Sequence, residues 1–117
     1  MRTLLTCLAL LALCVAANAA DLTGAWSFTV ETDGGSGNPN FTFKQNGDQL
    51  TGTYKGQFGE AKVEGKVTGK SVEFWFELEQ GDKIKVVYTG TLESDTAMKG
   101  KVSFGSLAQG TWSAKKN

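Results

Sequence analysis

Glu73, Glu77 and Glu79 are the side chains whose spacing first invites a chemical reading, because all three fall on one side of an alternating segment. Two carboxylates work as an acid–base pair only where a cleft separates their pKa values. Here a hairpin would set Lys83 and Lys85 across from them, so a solvated, ion-paired face is the expectation. Nucleophilic catalysis usually needs a His or Cys beside the attacking group. The chain has no His, and its two cysteines, Cys7 and Cys14, both fall in an N-terminal leader. Ser and Thr are numerous, but no Gly-x-Ser-x-Gly elbow presents one of them. Gly34-Gly35-Ser36-Gly37 lacks the Lys and the following helix of a phosphate loop. No carboxylate spacing demands a divalent cation. The expectation is no metal, no cofactor and no enzyme.

Aromatic residues carry the other candidate chemistry. Phe58 stands in the turn Gln57–Gly59, where an apolar ring has no place in the alternation. With Tyr54, Phe104 and Tyr88 it is expected to line an opening that admits a small apolar or aromatic molecule. The glycine-rich stretch from Thr32 to Pro39 is expected to be a mobile loop over the same opening. Trp75 falls on the outward parity between Glu73 and Glu77, with Val87 opposite. It reads either as half of a stabilising cross-strand pair or as a surface anchor for a partner, since aromatics are common hot spots.

These residues must be positioned by strands. Beyond Asp21 no stretch has helical periodicity; short apolar–polar alternations recur between glycine-containing turns. The spacing predicts eight strands: Gly24–Thr32, Asn40–Gln45, Asp48–Gly56, Glu60–Thr68, Ser71–Glu79, Lys83–Glu93, Ala97–Ser103 and Leu107–Lys115. Asn46-Gly47 reads as a two-residue hairpin turn that pairs Gln45 with Asp48 and Phe43 with Leu50. Gly69-Lys70 sets Val67 opposite Val72, and Gln80-Gly81-Asp82 sets Phe74, Phe76 and Leu78 opposite Tyr88, Val86 and Ile84. One face then collects the apolar set from Trp26 to Trp112 and the other collects Lys, Glu, Thr and Ser. A weak repeat places Gly24, Gly52, Gly90, Gly100 and Gly110 on the apolar face. Inward glycines suit tight coiling, which favours a closed barrel over separate hairpins.

Composition bounds the rest. Met1-Arg2, the apolar run Leu4 to Val15 and the small-x-small site Ala17-Asn18-Ala19 form a secretory signal over 1–19, with Ala20 as the alternative end. The run is too short for a bilayer span, which needs ~20 apolar residues. A lipoprotein reading would acylate Cys14, but Leu13 stands where a small residue is wanted. Residues 20–117 then form one domain, secreted or periplasmic, without Cys and without Arg. Its lysines and carboxylates nearly balance, and no basic run invites nucleic acid or acidic lipid.

Gly24-Ala25-Trp26 opening the first strand, the up-and-down strand count and a basic residue closing the last strand resemble the calycins. That group comprises lipocalins, fatty-acid-binding proteins and avidins. The likeness implies an eight-stranded antiparallel barrel in which Trp26 packs at the closed end beneath Lys115 or Lys116. Gly24, Trp26 and Lys115 would be a structural signature, not a ligand site. The chain is also similar to short secreted bacterial barrel domains of unknown function that share the Leu-Thr-Gly-x-Trp opening. It departs from fatty-acid-binding proteins in having no helical lid and no interior arginine, and from avidins in lacking inward polar side chains. Two readings of function stay open: a binder of a small apolar molecule at the mouth, or a structural or interaction barrel whose core is filled. A continuous void above ~300 Å³ separates them.

Overall fold

The computed structural model describes residues 21–80 and 82–117, so the predicted leader and both cysteines lie outside the described residues. Alternation becomes strand throughout, and no helix occurs among the described residues. The elements are β1 (Gly24–Thr32), β2 (Gly35–Gly37), β3 (Asn40–Asn46), β4 (Gln49–Gly56), β5 (Gly59–Thr68), β6 (Ser71–Gln80), β7 (Asp82–Ser94), β8 (Ala97–Phe104) and β9 (Ala108–Lys116). Each pairs antiparallel with its neighbour, and β9 returns to β1 from Trp26↔Lys116 to Thr32↔Gly110. The sheet is a closed barrel of eight staves, because β2 and β3 together make one.

That stave corrects the expected long loop. The β1–β2 and β1–β3 ladders share one register: Val30 faces Gly37 and Ser27 faces Asn40. Between them would fall Thr29–Asn38 and Phe28–Pro39. Proline has no N–H to donate, so the ladder is interrupted there, yet the Phe28 amide still donates to the Pro39 carbonyl at 3.0 Å. Gly34 to Gly37 is therefore no free loop. It belongs to a tight hairpin turning at Asp33-Gly34, held by Thr32 Oγ1 donating to the Gly35 carbonyl at 2.9 Å.

A second correction concerns the first hairpin turn. Asn46 pairs with Gln49 and Phe43 with Gly52, so the turn residues are Gly47-Asp48, one position later than expected. Gly47 takes φ +66° as the first central residue, while Asn46 stays in the strand. Side-chain parity is unchanged, since the slip is one residue on each strand. What it gains is a glycine beneath Phe43. The same match recurs where Phe74 faces Gly65 and Trp112 faces Gly100. The expected registers of the other hairpins hold: Val67↔Val72, Phe74↔Tyr88, Phe76↔Val86 and Leu78↔Ile84.

The predicted apolar set forms the core, with Trp26 and Phe41 fully buried and Ile84 half-buried at one end. Rings interlock through its length: Phe28 stacks on Trp112 at 5.0 Å, and Phe74 on Tyr88 at 5.0 Å. Buried indoles need partners. Trp112 Nε1 donates to the Lys101 carbonyl and Trp26 Nε1 to the Leu22 carbonyl, each at 2.9 Å. Leu22, ahead of the first strand, is fully buried and plugs the Trp26 end. Its amide donates to Gln45 Oε1 at 2.9 Å. Lys116, not Lys115, has the inward register opposite Trp26; Lys115 pairs with Ser27 and is exposed. The Lys116 ammonium lies 3.4 Å from the Asp21 carbonyl.

A methyl group on Gly100 would overlap the Thr89 carbonyl oxygen and crowd the Gly90 Cα. Nothing lies within 4 Å of a methyl on Gly47, whose only cost is its φ of +66°. Gly100→Ala should therefore lose about 3 kcal/mol by overpacking, and Gly47→Ala only ~1 kcal/mol by backbone strain. Urea unfolding of both variants checks this. Equal losses, or the reverse order, would contradict the role given to the inward glycine.

Candidate ligand-binding site

The barrel is sealed at the Trp26 end and hollow at the other. There the turns Asp33-Gly34, Gln57-Phe58 and Gly105–Leu107 surround a cavity of about 760 Å³. Its floor is the upper surface of the packed core: Val30, Tyr54, Leu78, Ile84 and Tyr88. Its rim carries Phe58, Phe104, Leu107 and the backbone of Gly34–Gly37. All four residues singled out for binding, Phe58, Tyr54, Phe104 and Tyr88, line this one space. The Phe58 and Phe104 rings lie edge to face at 6.4 Å.

Leu107 belongs with them, and sequence reasoning placed it at the start of a strand instead. It closes a three-residue turn, its amide donating to the Phe104 carbonyl at 3.0 Å. Phe58 and Leu107, 42% and 74% exposed, are the large hydrophobics left in solvent among the described residues. Both flank the same opening. The signal that could have revealed Leu107 is parity: inward positions of the last strand are even-numbered, and Leu107 is an apolar residue on the odd set.

Electrostatically the cavity is bland. Apart from the two tyrosines, its one ionisable lining residue among those described is Lys55, whose Nζ sits 3.7 Å from Glu60 Oε1 in largely exposed surroundings. Burial pushes the Tyr88 phenol well above its ordinary value, and neighbouring Tyr54 raises it further. Burial also raises Tyr54, against a partial offset from the Phe58 backbone. Both phenols are therefore neutral hydrogen-bonding groups at physiological pH. They are the polar handles at the base of an apolar cup.

The outer carboxylates have no such enclosure. Glu73, Glu77 and Glu79 are exposed, and Glu77 and Glu79 face Lys85 and Lys83 in register. Ion pairs among the described residues are Lys55–Glu60 and Lys99–Glu93, so the opposed charges of this hairpin stay in register without salt-bridge contact. The Lys85 ammonium lies instead 5.4 Å from the Trp75 ring centroid. Trp75 is half-buried and faces Val87 as expected. Val87 and Lys85 thus neighbour it on the adjacent strand.

No protein-family model matches the chain, and comparison with curated proteins finds no match. Solved structures do match. A redesigned beta barrel aligns with a TM-score of 0.69 at 16% identity, over 82% of this chain and 91% of its own. The redesigned beta barrel mFAP0, bound to DFHBI, aligns at 0.64 and 20% identity, over 81% of this chain and 98% of its own. EF1p2_mFAP2b, also bound to DFHBI, aligns at 0.59 and 16% identity, over 82% and 94%. The likeness is one of fold.

The tyrosine environment carries a pH signature. An ordinary phenol ionises near pH 10, whereas Tyr88 resists ionisation in the folded barrel. The unfolded chain therefore releases protons first as pH rises, and stability falls above about pH 10 while remaining full below it. Denaturant unfolding at pH 8 and pH 11 should show a lower midpoint at the higher pH, with less of the drop in Tyr88→Phe. Identical midpoint losses in the two proteins would contradict the buried-phenol assignment.

Proposed function

We propose that the protein is a secreted or periplasmic calycin-like barrel that binds a small, uncharged apolar or aromatic molecule in the mouth cavity, and that it is not an enzyme. One observation carries the reading. The two large hydrophobics left in solvent among the described residues flank a cavity of about 760 Å³. It has a floor of aliphatic side chains and two tyrosines, and Lys55 as its one charged lining residue. Ligand sites are concave, mostly apolar and furnished with a few polar groups. Tyr54 and Tyr88 supply those groups. The filled-core alternative accounts for the packed rings, from Leu22 up to the Tyr54–Phe76 stack, and not for the cavity above them.

Support comes from two sides. Structural neighbours of the same fold hold the small molecule DFHBI. The leader pattern over 1–19 suits an exported protein.

A compact fluorescent ketone, acetyl dimethylaminonaphthalene, tests the reading by titration. The expected result is saturable, one-site binding in the micromolar range, about −8 kcal/mol. Phe58→Ala should weaken it about tenfold, the loss of one well-packed aromatic contact, while Glu73→Ala leaves it unchanged. Absence of saturation, or equal effects of the two substitutions, would refute a mouth site.

A further inference from the structure

Among the described residues, one ladder of the barrel wall stops well short of the mouth. Strands β5 and β6 pair from Thr68↔Ser71 up to Glu64↔Trp75, and there the ladder stops. Both strands run on toward the mouth, β5 to Gly59 and β6 to Gln80. Continuing the register would set Val63 against Phe76 and Ala61 against Leu78, and neither pair forms. Each strand stays fully paired on its other side, β5 with β4 as far as Gly56↔Gly59 and β6 with β7 as far as Gln80↔Asp82. The two hairpins therefore diverge as intact units.

A hollow of about 510 Å³ occupies the divergence, and Trp75 marks its lower end. Phe58 and Leu78 line both this hollow and the mouth cavity, so those two side chains are the partition between the two spaces. The Tyr54 ring on β4 stacks on Phe76 of β6 at 4.4 Å, reaching past the small side chain of Ala61 on the intervening strand. On the β5 side the hollow is lined by Glu60, Ala61, Lys62 and Glu64.

We infer that the seam between β5 and β6 is a second arm of the binding site, and that the ligand is elongated, with a flat apolar body in the mouth and a narrow arm leaving between Phe58 and Leu78. This rests on the mouth reading given above and adds the ligand's shape. The hollow is lined by four carboxylates, Glu60, Glu64, Glu77 and Glu79, against one lysine, Lys62. The excess of negative charge disfavours an acidic group at the end of the arm.

Two dimethylaminonaphthyl ketones that differ only in acyl length, acetyl and hexanoyl, test the inference. Each methylene buried in the seam should raise affinity about fourfold. Ala61→Phe, which fills the seam and crowds Tyr54 as well, should abolish that gain, read as the ratio of hexanoyl to acetyl affinity. A second measurement does not depend on how that variant folds. A hexanoyl dye brominated at its chain end should quench tryptophan emission in the native protein, and Trp75→Phe should remove most of the quenching. The inference is overturned if the gain with chain length survives in folded Ala61→Phe, or if quenching is the same without Trp75. Failure of both dyes to bind the native protein would instead remove the mouth site itself.

Discussion

Everything in this molecule follows from fitting too many rings into too narrow a tube. Eight staves enclose an interior only wide enough for side chains, and this chain puts Phe28, Phe41, Phe43, Phe74, Tyr88 and Trp112 within one such interior. The wall yields where it must. Gly52, Gly65 and Gly100 stand opposite Phe43, Phe74 and Trp112, and at each a Cβ would run into a carbonyl oxygen of an adjacent strand, that of Thr42, Glu73 or Thr89. With Cβ atoms at those points the strands could not coil tightly enough to let β9 reach β1. The aromatic mass then fills the sealed half completely. It leaves the other half lined by its own upper surface.

That division explains why fold and site were unequally legible in the sequence. Alternation is a local property, and three hairpin turns report parity independently, so the inward set could be read residue by residue. The position of the first turn could not, because Asn46-Gly47 and Gly47-Asp48 preserve the same parity; Gly52 beneath Phe43 decided between them, and that is a contact across strands. Pro39 misled in another way. A proline beside a run of glycines looks like a loop, yet its only local effect is to delete one donor from a continuous ladder. The choice between Lys115 and Lys116 depended on the closing register of the barrel, which no turn specifies.

At the mouth, Phe58 was legible as an apolar residue out of place, and Leu107 carried the same mark. The parting of β5 from β6 had no mark at all. Both segments alternate correctly and both are sheet-forming, and their failure to pair is set by how two neighbouring hairpins splay. Electrostatics were legible by composition alone. With no arginine and no histidine past the leader, the interior could hold no permanent charge except a lysine or a carboxylate, and burial of either is costly unless paired.

The ladder that closes the ring joins β1 to β9, the strands farthest apart in the chain. Every other ladder follows a hairpin and can form as its residues emerge from synthesis. This one must wait for the final residues, and bringing such distant strands together is entropically the slowest kind of pairing. Until then the first strand carries an open row of unpaired amides and carbonyls, a template for the wrong partner. Nascent or partly refolded chains are thus more prone to stick to one another than the finished barrel, whose weakness is one of timing rather than of final stability.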